Sequence, residues 1–357
     1  MTGPGPGNAP PAARFAMSVI HPGSPTLRMR YRHGVLIDPY GFPDWSLCAR
    51  AVVELPAPHP DLTRAEQRIV DVLAANLAMA RSAGDPLWPP VGGSSVVGTP
   101  AGWCWAHLGA VRQVALVPVE LHGSFRHQGG VGRLPDRPGP PVGRPAAPQA
   151  GRPVGPAPGH QVPDDLLDLL EQLLGRVLPP AYRRFLAATN GAGPAGPAVL
   201  PGHGLLADQP FFGLAREDRH QDLSYLADWV GDRLTRDFLP VGYVQGGLLA
   251  VRTAGDDPDS IWYWDDDDPR DRDRYDAEHI CAHLLHRVAD SIDDLWTRLV
   301  APAPALADLA GQWVRRGAVR ELRDPAVGAG LPARQRPARQ DPPRSTADPL
   351  VALFEAR

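Results

Sequence analysis

The stretch TPAGWCWAHLGAVRQVALVPVELHGSFRHQGG, residues 99–130, decides how the N-terminal part of this chain is expected to fold. Its order predicts a short aromatic strand, a β-branched strand and a short helix that ends before two glycines. Three histidines fall on this frame: His107 ends the first strand, and His122 and His127 lie in or just after the helix. Imidazoles can hold a divalent metal on a phosphate or deprotonate a water, so the frame predicts a metal-and-base site.

A helix precedes the three histidines. Residues 62–79 place apolar side chains at helical spacing, and Thr63 with Glu66 three positions later has the pattern of a capping box. With short strands before and after it, this helix predicts a small α+β domain over residues 14–131, here called the N-terminal part. Residues 1–13 are Gly, Pro and Ala-rich and are expected to be disordered.

Composition divides the 357-residue chain further. Residues 132–159 are rich in Pro, Gly and Arg and predict a semi-extended linker. Residues 1–131 carry 10 arginines against 8 acidic residues, a net +2, whereas residues 160–300 carry 13 arginines against 25 acidic residues, a net −12. This contrast indicates that residues 160–300, here called the acidic part, have a separate task. A further helix is expected at 301–323 and a mostly disordered tail at 324–357.

The cysteines and the apolar runs bear on location. Cys48, Cys104 and Cys281 lie far apart, which is typical of a reducing compartment rather than a disulfide framework. No apolar run approaches the ~18 residues that would span a bilayer, and the N-terminus lacks a secretory signal pattern. We therefore expect a cytoplasmic protein with no membrane contact.

The acidic part predicts two helices, a hairpin and a closing helix. Proline, acidic and glycine signals bound the first two helices, and Gln245-Gly246-Gly247 predicts a hairpin turn. The expected elements are helices at 163–175 and 178–191, strands at 211–214, 239–244, 248–252 and 261–264, and a long helix at 276–299.

Several motifs of the N-terminal part resemble a known class of nucleases. The motifs are GFPDW at 41–45, TPxGWxWxHL at 99–108 and LVPxxLHxxxxHxGG at 116–130. Over about residues 31–131 they resemble toxin nucleases of the HNH/endonuclease-seven class, in particular the subfamilies named for a Trp-His-His or Leu-His-His signature. The resemblance implies a ββα-metal domain that binds Mg²⁺, Mn²⁺, Ni²⁺ or Zn²⁺.

This resemblance assigns roles to the three histidines. The family has two adjacent histidines after the tryptophan, a metal ligand and then a general base; here that pair is Ala106-His107. His107 thus matches the general base, and His122 and His127 match later metal ligands. Because alanine cannot bind metal, the domain is expected to be degenerate, or to use a replacement ligand such as Asp38, Asp44 or Glu120. His122 and His127 converge only if the helix ends between them.

The acidic part resembles a different family. The motifs are LPxxYRxFLxxxNG at 178–191, LPVG at 239–242, the glycine hairpin at 246–247, and an aromatic strand that runs into acid at 262–265. Over about residues 160–300 they resemble the SUKH superfamily, the Smi/Knr-like domains. The resemblance implies an α+β domain with a central antiparallel sheet flanked by helices. Such domains are mostly non-enzymatic; many are immunity proteins that neutralise toxins, often nucleases, and others are interaction scaffolds.

Two clusters in the acidic part are candidates for binding. The acidic run after the aromatic strand is a candidate surface for a basic partner, with a solvated loop as the alternative and no EF-hand spacing for calcium. Four residues near the C-terminal end of this part have metal-like spacing, with core packing of their helix as the alternative. The first cluster comprises Trp264, Asp265, Asp266, Asp267 and Asp268; the second comprises His279, Cys281, His283 and His286.

Three functions stay open from the sequence. The first is an immunity-type protein whose SUKH-like domain binds and neutralises a toxin, a basic nuclease, and carries a degenerate nuclease domain in cis. The second is an active metal-dependent endonuclease that binds nucleic acid, with His107 as general base. The third is a non-enzymatic scaffold. The net charge of the acidic part favours binding, because that charge would repel a phosphate substrate.

Overall fold

The structure is a computed structural model. It describes residues 18–22, 25–39, 41–82, 87–88, 96–109, 112–127, 129–133, 151–216, 221–225, 230–231, 233–268, 270 and 276–322. The segments expected to be disordered, 1–13 and 324–357, and most of the expected linker lie outside the described residues. No helix among those residues is long and apolar enough to cross a membrane.

The N-terminal part folds as an α+β unit, as predicted. Its elements are β1 (Val19–Ile20), α1 (Pro25–Arg30), β2 (Val35–Ile37), β3 (Pro43–Asp44), β4 (Ala51–Glu54), α2 (Arg64–Arg81), β5 (Trp103–His107), β6 (Gln113–Pro118) and α3 (Val119–His122). Strands β1, β2 and β3 form one antiparallel sheet, and β4, β6 and β5 are neighbours in a second. The capping box of α2 is confirmed, because Thr63 and Glu66 bond reciprocally, side chain to backbone.

The acidic part has a central antiparallel sheet with helices around it, also as predicted. Its elements are α4 (Asp164–Leu174), α5 (Pro180–Thr189), β7 (Ala198–Val199), β8 (Leu206–Ala207), β9 (Phe238–Val244), β10 (Gly247–Arg252), β11 (Ile261–Asp265), α6 (Ala277–His283), β12 (Leu285–Ala289) and α7 (Ile292–Arg298). The sheet order is β12-β11-β10-β9. The predicted hairpin turn is confirmed: Gly246 and Gly247 take φ values of 101° and 146°, which favour glycine.

Two expected elements of the acidic part are wrong. The single helix over 276–299 is interrupted by β12, which pairs with β11, and Ser291 then caps α7 by accepting a hydrogen bond from the Asp294 amide. A short apolar run cannot be assigned to strand or helix by periodicity alone, and tertiary pairing selects the strand here. Residues 211–214 form no regular strand, although the Phe212 amide donates to the Val241 carbonyl.

The chain then returns to the N-terminal part. Helix α8 (Pro304–Arg315) packs against α2, and β13 (Arg320–Leu322) pairs with β4, so the N-terminal sheet has the order β13-β4-β6-β5. The helix expected over 301–323 is therefore shorter, and its last residues form a strand. The acidic part is inserted in the chain between two segments of one sheet.

One hydrophobic core crosses the boundary between the two parts. Cys104 and Val117 on β5 and β6 belong to the same buried cluster as Leu239 and Tyr263 on the sheet of the acidic part. This core positions the histidine-bearing strand β5 directly against the acidic part.

Candidate functional site

The three predicted histidines line one cavity between the two parts. Its volume is about 20 Å³. The N-terminal part contributes Arg68, Ala106, His107, His122 and His127, and the acidic part contributes Tyr243, Gln245, Asp266 and Asp267, among other residues. A water needs roughly 10–15 Å³, so this space suits one ordered water or an ion, and a nucleotide does not fit.

His122 and His127 converge at this cavity. Helix α3 ends at His122, and the chain turns so that the two Nε2 atoms lie 3.2 Å apart. The Nδ1 of His127 lies 3.2 Å from the Phe125 carbonyl oxygen, so Nδ1–H donates there and the Nε2 lone pair faces His122. Both rings also contact Trp45. The sequence condition for convergence, a helix that ends between the two histidines, is met.

Burial keeps both imidazoles neutral. Desolvation lowers the pKa of His127 to about 4 and lowers the pKa of His122 well below its ordinary value, with the neighbouring His127 as a further cause. A neutral imidazole has a nitrogen lone pair, which a metal ligand requires.

His107 is held by a buried carboxylate that the sequence did not single out. Its Nε2 lies 3.1 Å from Asp71 Oδ2, and Arg112 donates to both oxygens of Asp71 at 2.7 and 2.8 Å. Burial alone would raise the pKa of Asp71, but hydrogen bonds from His107 and Arg112 hold it below its ordinary value. A carboxylate that orients an imidazole in this way is typical of a general-base pair.

A second residue missed from the sequence is Arg68, three positions before Asp71. Both lie on α2 and are fully or almost fully buried, at 4% and 0% exposure. The sequence signal that could have found Arg68 and Asp71 is the presence of charged residues among the apolar positions of this helix. Buried charges of this kind require partners, so they indicate specific contacts.

Ala106 faces the same cavity and supplies no ligand atom. Glu120, a possible replacement, accepts hydrogen bonds from Arg30 at 2.6 Å and from the Tyr31 hydroxyl at 2.6 Å instead. Among the described residues, the one group of three candidate ligands with atoms within 4.8 Å of each other is Asp265, Asp266 and Asp267. The histidine pair therefore has no third histidine, cysteine or carboxylate at that range in the described part of the chain.

The pair itself fits a metal. Two nitrogens bound tetrahedrally to one ion at 2.0–2.1 Å would lie ~3.3 Å apart, close to the spacing of His122 and His127. The residues present could thus supply two ligand positions, and Ala106 stands where the WHH pattern has its first histidine.

The acidic loop, residues 265–268, lies over the cavity and contacts the N-terminal part. Arg68 Nη2 donates to Asp265 Oδ1 at 3.0 Å and to Asp267 Oδ2 at 2.7 Å. Gly246 permits this approach, because a Cβ there would collide with the Arg68 guanidinium. Asp266 is also desolvated, which together with the Asp267 charge raises its pKa well above the ordinary value. The predicted partner surface thus faces this chain's own N-terminal part.

The remaining residues of the predicted partner surface lie apart from that contact. Asp268 is 2.6 Å from Arg270, and Trp264 is buried with the Arg233 guanidinium 5.2 Å from its ring. They are placed to hold the loop rather than to face solvent.

Polar side chains of the acidic part also bond the free edge of β5 and the segment just before it. The Trp105 amide donates to Gln245 Oε1 at 3.2 Å, Gln209 Nε2 donates to the Trp103 carbonyl, and the Thr99 amide donates to Asp208 Oδ2 at 2.8 Å. An edge strand left unpaired would attract other chains, and here it is covered. The strand that carries His107 is therefore fixed to the acidic part.

The histidine cluster of the acidic part is not brought together. The rings of His279 and His283 are 4.7 Å apart on α6, whereas His286 lies on β12 and Cys281 Sγ accepts from the Thr235 amide. These residues form no group of three candidate ligands within the described ranges.

Comparison with known families agrees with the two-part organisation. Residues 161–297 match the SMI1/KNR4 family (SUKH-1), and residues 97–133 match WHH, described as a nuclease of the HNH/ENDO VII superfamily with conserved WHH. A search of curated proteins returned no match. The chain thus combines a SUKH-1 domain with a WHH nuclease-like domain, and the resemblances noted in the sequence are confirmed.

Proposed function

We propose that this chain is a toxin–immunity-type protein whose SUKH-1 domain binds a nuclease-like domain and keeps nucleic acid from it, within one chain. The observation that supports this proposal most directly is the contact of Asp265 and Asp267 with Arg68, beside the cavity of the three histidines. A separate basic nuclease toxin that presents an arginine in the same place is the partner class that this loop would fit in trans.

The closed arrangement supports a masking role, in which the SUKH-1 domain blocks the access of nucleic acid to the three histidines. A cavity of about 20 Å³ cannot admit a phosphodiester, and the side chain of Arg68 is only 5% exposed. The carboxylates on Arg68 occupy the kind of site that a phosphate would take, since arginine binds both anions by the same geometry. Nucleic acid could reach the histidines only after the loop leaves Arg68.

The nuclease-like domain is proposed to be degenerate, because Ala106 replaces a ligand and no described residue takes its place. The second candidate function, an active metal-dependent endonuclease, is favoured by the intact His107–Asp71 pair. In that function His107 would take a proton from water, while a divalent ion held by His122 and His127 would supply charge stabilisation.

A plasmid-nicking assay on the full chain separates these functions. Wild type, Ala106→His and His107→Ala are compared with Mg²⁺, Mn²⁺, Ni²⁺ and Zn²⁺. We expect no cutting by wild type and slow cutting by Ala106→His, because the closed loop still limits the access of nucleic acid to the histidines. Cutting by wild type that disappears in His107→Ala would instead establish the endonuclease.

Masking is tested by opening the loop in the Ala106→His background. Adding Asp265→Asn with Asp267→Asn removes both charges on Arg68 and should increase the cutting rate. Asp268→Asn is the matched control, because its carboxylate bonds Arg270 at the far end of the loop. Limited proteolysis of the same variants reports loop opening even where no plasmid DNA is cut. Equal cutting rates and equal proteolysis in the Asp265→Asn/Asp267→Asn variant and the Asp268→Asn control would contradict the masking proposal.

A further inference from the structure

A groove opens to solvent beside α1 in the N-terminal part. Its volume is about 680 Å³, against about 20 Å³ for the histidine cavity. The residues that line it are His21, Pro25, Arg28, Met29 and Arg32. All five are exposed, and Met29 has 78% of its surface in solvent. A space of this size suits a segment of a larger ligand rather than a single ion.

The groove carries charge of one sign. Residues 18–37 contain three arginines and two histidines but no aspartate or glutamate. Arg28 Nε donates to the Pro22 carbonyl at 3.3 Å, and Arg32 Nε donates to His33 Nε2 at 3.4 Å. Neither arginine forms an ion pair with a carboxylate in the part of the chain that the structure describes. Two such guanidinium groups in one groove attract a ligand with several negative charges.

Helix α1 is fixed to the helix that carries His122. Its inner side is buried through Leu27, and Tyr31 just after it is also buried. Arg30 and the Tyr31 hydroxyl both donate to Glu120 on α3, each at 2.6 Å, and the Glu120 side chain is only 4% exposed. The groove therefore keeps a fixed position relative to α3, so a ligand would bind a surface that is already ordered.

We propose that this groove, here called the α1 groove, binds the sugar-phosphate backbone of a nucleic acid outside the closed histidine cavity. Arg28 and Arg32 bind phosphates, and the exposed Met29 side chain packs against the sugars. A nucleic acid offers a negative charge at every nucleotide, so one strand can contact both arginines at once.

The acidic part of a second copy fits the α1 groove less well. Its acidic loop is already engaged within its own chain: Asp265 and Asp267 bond Arg68, and Asp268 bonds Arg270. A second copy would have to give up these contacts to reach the groove, whereas the phosphates of a nucleic acid have no such partners to leave.

This binding site is separate from the one in the proposed function. Residues 18–37 lie outside residues 97–133, which match the WHH nuclease model. The acidic loop covers the histidine cavity, whereas the residues of the α1 groove are exposed. The protein would therefore hold a nucleic acid without cutting it, whether or not the nuclease-like domain is degenerate.

The test is fluorescence anisotropy of a labelled DNA duplex of about 20 base pairs, titrated with the full chain in EDTA at about 50 mM salt and above. Wild type should bind with a Kd below about 100 µM, and the affinity should fall as salt rises. Arg28→Gln with Arg32→Gln should weaken binding at least about 10-fold and reduce the salt slope by about 2, one for each lost phosphate contact.

Two control variants separate the α1 groove from overall charge. Arg315→Gln with Arg316→Gln removes two exposed arginines at the end of α8 and should leave the affinity nearly unchanged. Arg28→Lys with Arg32→Lys should keep most of the binding, because lysine also binds phosphate as a point charge. All these variants change exposed residues, so their melting temperatures should match that of wild type.

Three results would overturn the proposal. The first is no DNA binding by wild type at about 50 mM salt, and the second is equal weakening in the Arg28/Arg32 and Arg315/Arg316 glutamine variants. The third is a wild-type dimer in sedimentation that only the Arg28/Arg32 glutamine variant dissociates, without DNA binding, which would assign the groove to a second copy. None of these results affects the masking proposal, which the variants at Asp265 and Asp267 test by proteolysis and cutting.

Discussion

Replacement of Arg68 by alanine should destabilise the whole protein and loosen the domain contact. The change leaves the carboxylates of Asp265 and Asp267 without their guanidinium partner, and their side chains are 28% and 7% exposed. Removing one partner of a buried pair costs about 3–5 kcal/mol. Because Asp265 is partly solvated, we expect the low end, about 3 kcal/mol.

Arg270→Ala is the matched control. It also removes an arginine from a carboxylate of the acidic loop, Asp268, but its side chain is 55% exposed. Exposed pairs contribute about 0–1 kcal/mol. The two arginine variants should therefore differ by about 2 kcal/mol, roughly a 30-fold change in the unfolding equilibrium.

The assay is urea unfolding of the full chain, followed by tryptophan fluorescence, since Trp103 and Trp105 lie on the strand that contacts the acidic part. A second variant checks the mechanism. Arg68→Met combined with Asp265→Asn and Asp267→Asn removes the charges on both sides and should recover much of the loss. If Arg68→Ala loses no more stability than Arg270→Ala, the ion pair does not hold the domains and the reasoning is refuted.

Three further predictions follow from the same geometry. Wild type should lose stability relative to His127→Gln as the pH falls from about 6.5 to about 4, because the imidazole of the unfolded chain takes up a proton that the buried imidazole, with its lowered pKa, does not. Chemical unfolding across that pH range measures the difference, and free energies of unfolding that change equally with pH in both proteins would contradict it. Gly130→Ala should lower the melting temperature, because a Cβ there would collide with the Leu108 carbonyl oxygen; an unchanged melting temperature would show that the loop relaxes freely. Trp313→Ala on α8 should cost about 3–5 kcal/mol in urea unfolding, whereas the exposed Arg316→Ala should stay within about 0.5 kcal/mol; similar values would mean that α8 does not stabilise the N-terminal sheet.

The histidine frame could be predicted from the sequence because its signals are local. A β-branched strand, a proline before α3 and a pair of glycines after His127 determine the path that brings the histidines together. The capping box at Thr63 and the hairpin at Gly246 are likewise determined by a few neighbouring residues. Each of these elements carries its own turn or cap chemistry.

The contacts that define the site could not be predicted in the same way. Arg68 and Asp265 are 197 residues apart, and Asp71 and His107 are 36 apart. Side-chain pairing at such separations leaves no periodic trace in the chain. Strand β12 was missed for a related reason, because its apolar residues fit a strand or a helix until β11 supplies a pairing edge.

The return of β13 to β4 limits how the two domains can come apart. The SUKH-1 domain is anchored to the nuclease-like domain at both ends, before residue 151 and after residue 303, so it can pivot but cannot diffuse away. Under the proposed function, a competing nuclease would have to displace a neighbour whose effective concentration is in the millimolar range expected for short tethers. A single proteolytic cut between the two domains would leave one covalent connection and would not release the SUKH-1 domain. Under the proposed function, only a nuclease that binds strongly would displace the nuclease-like domain of the same chain.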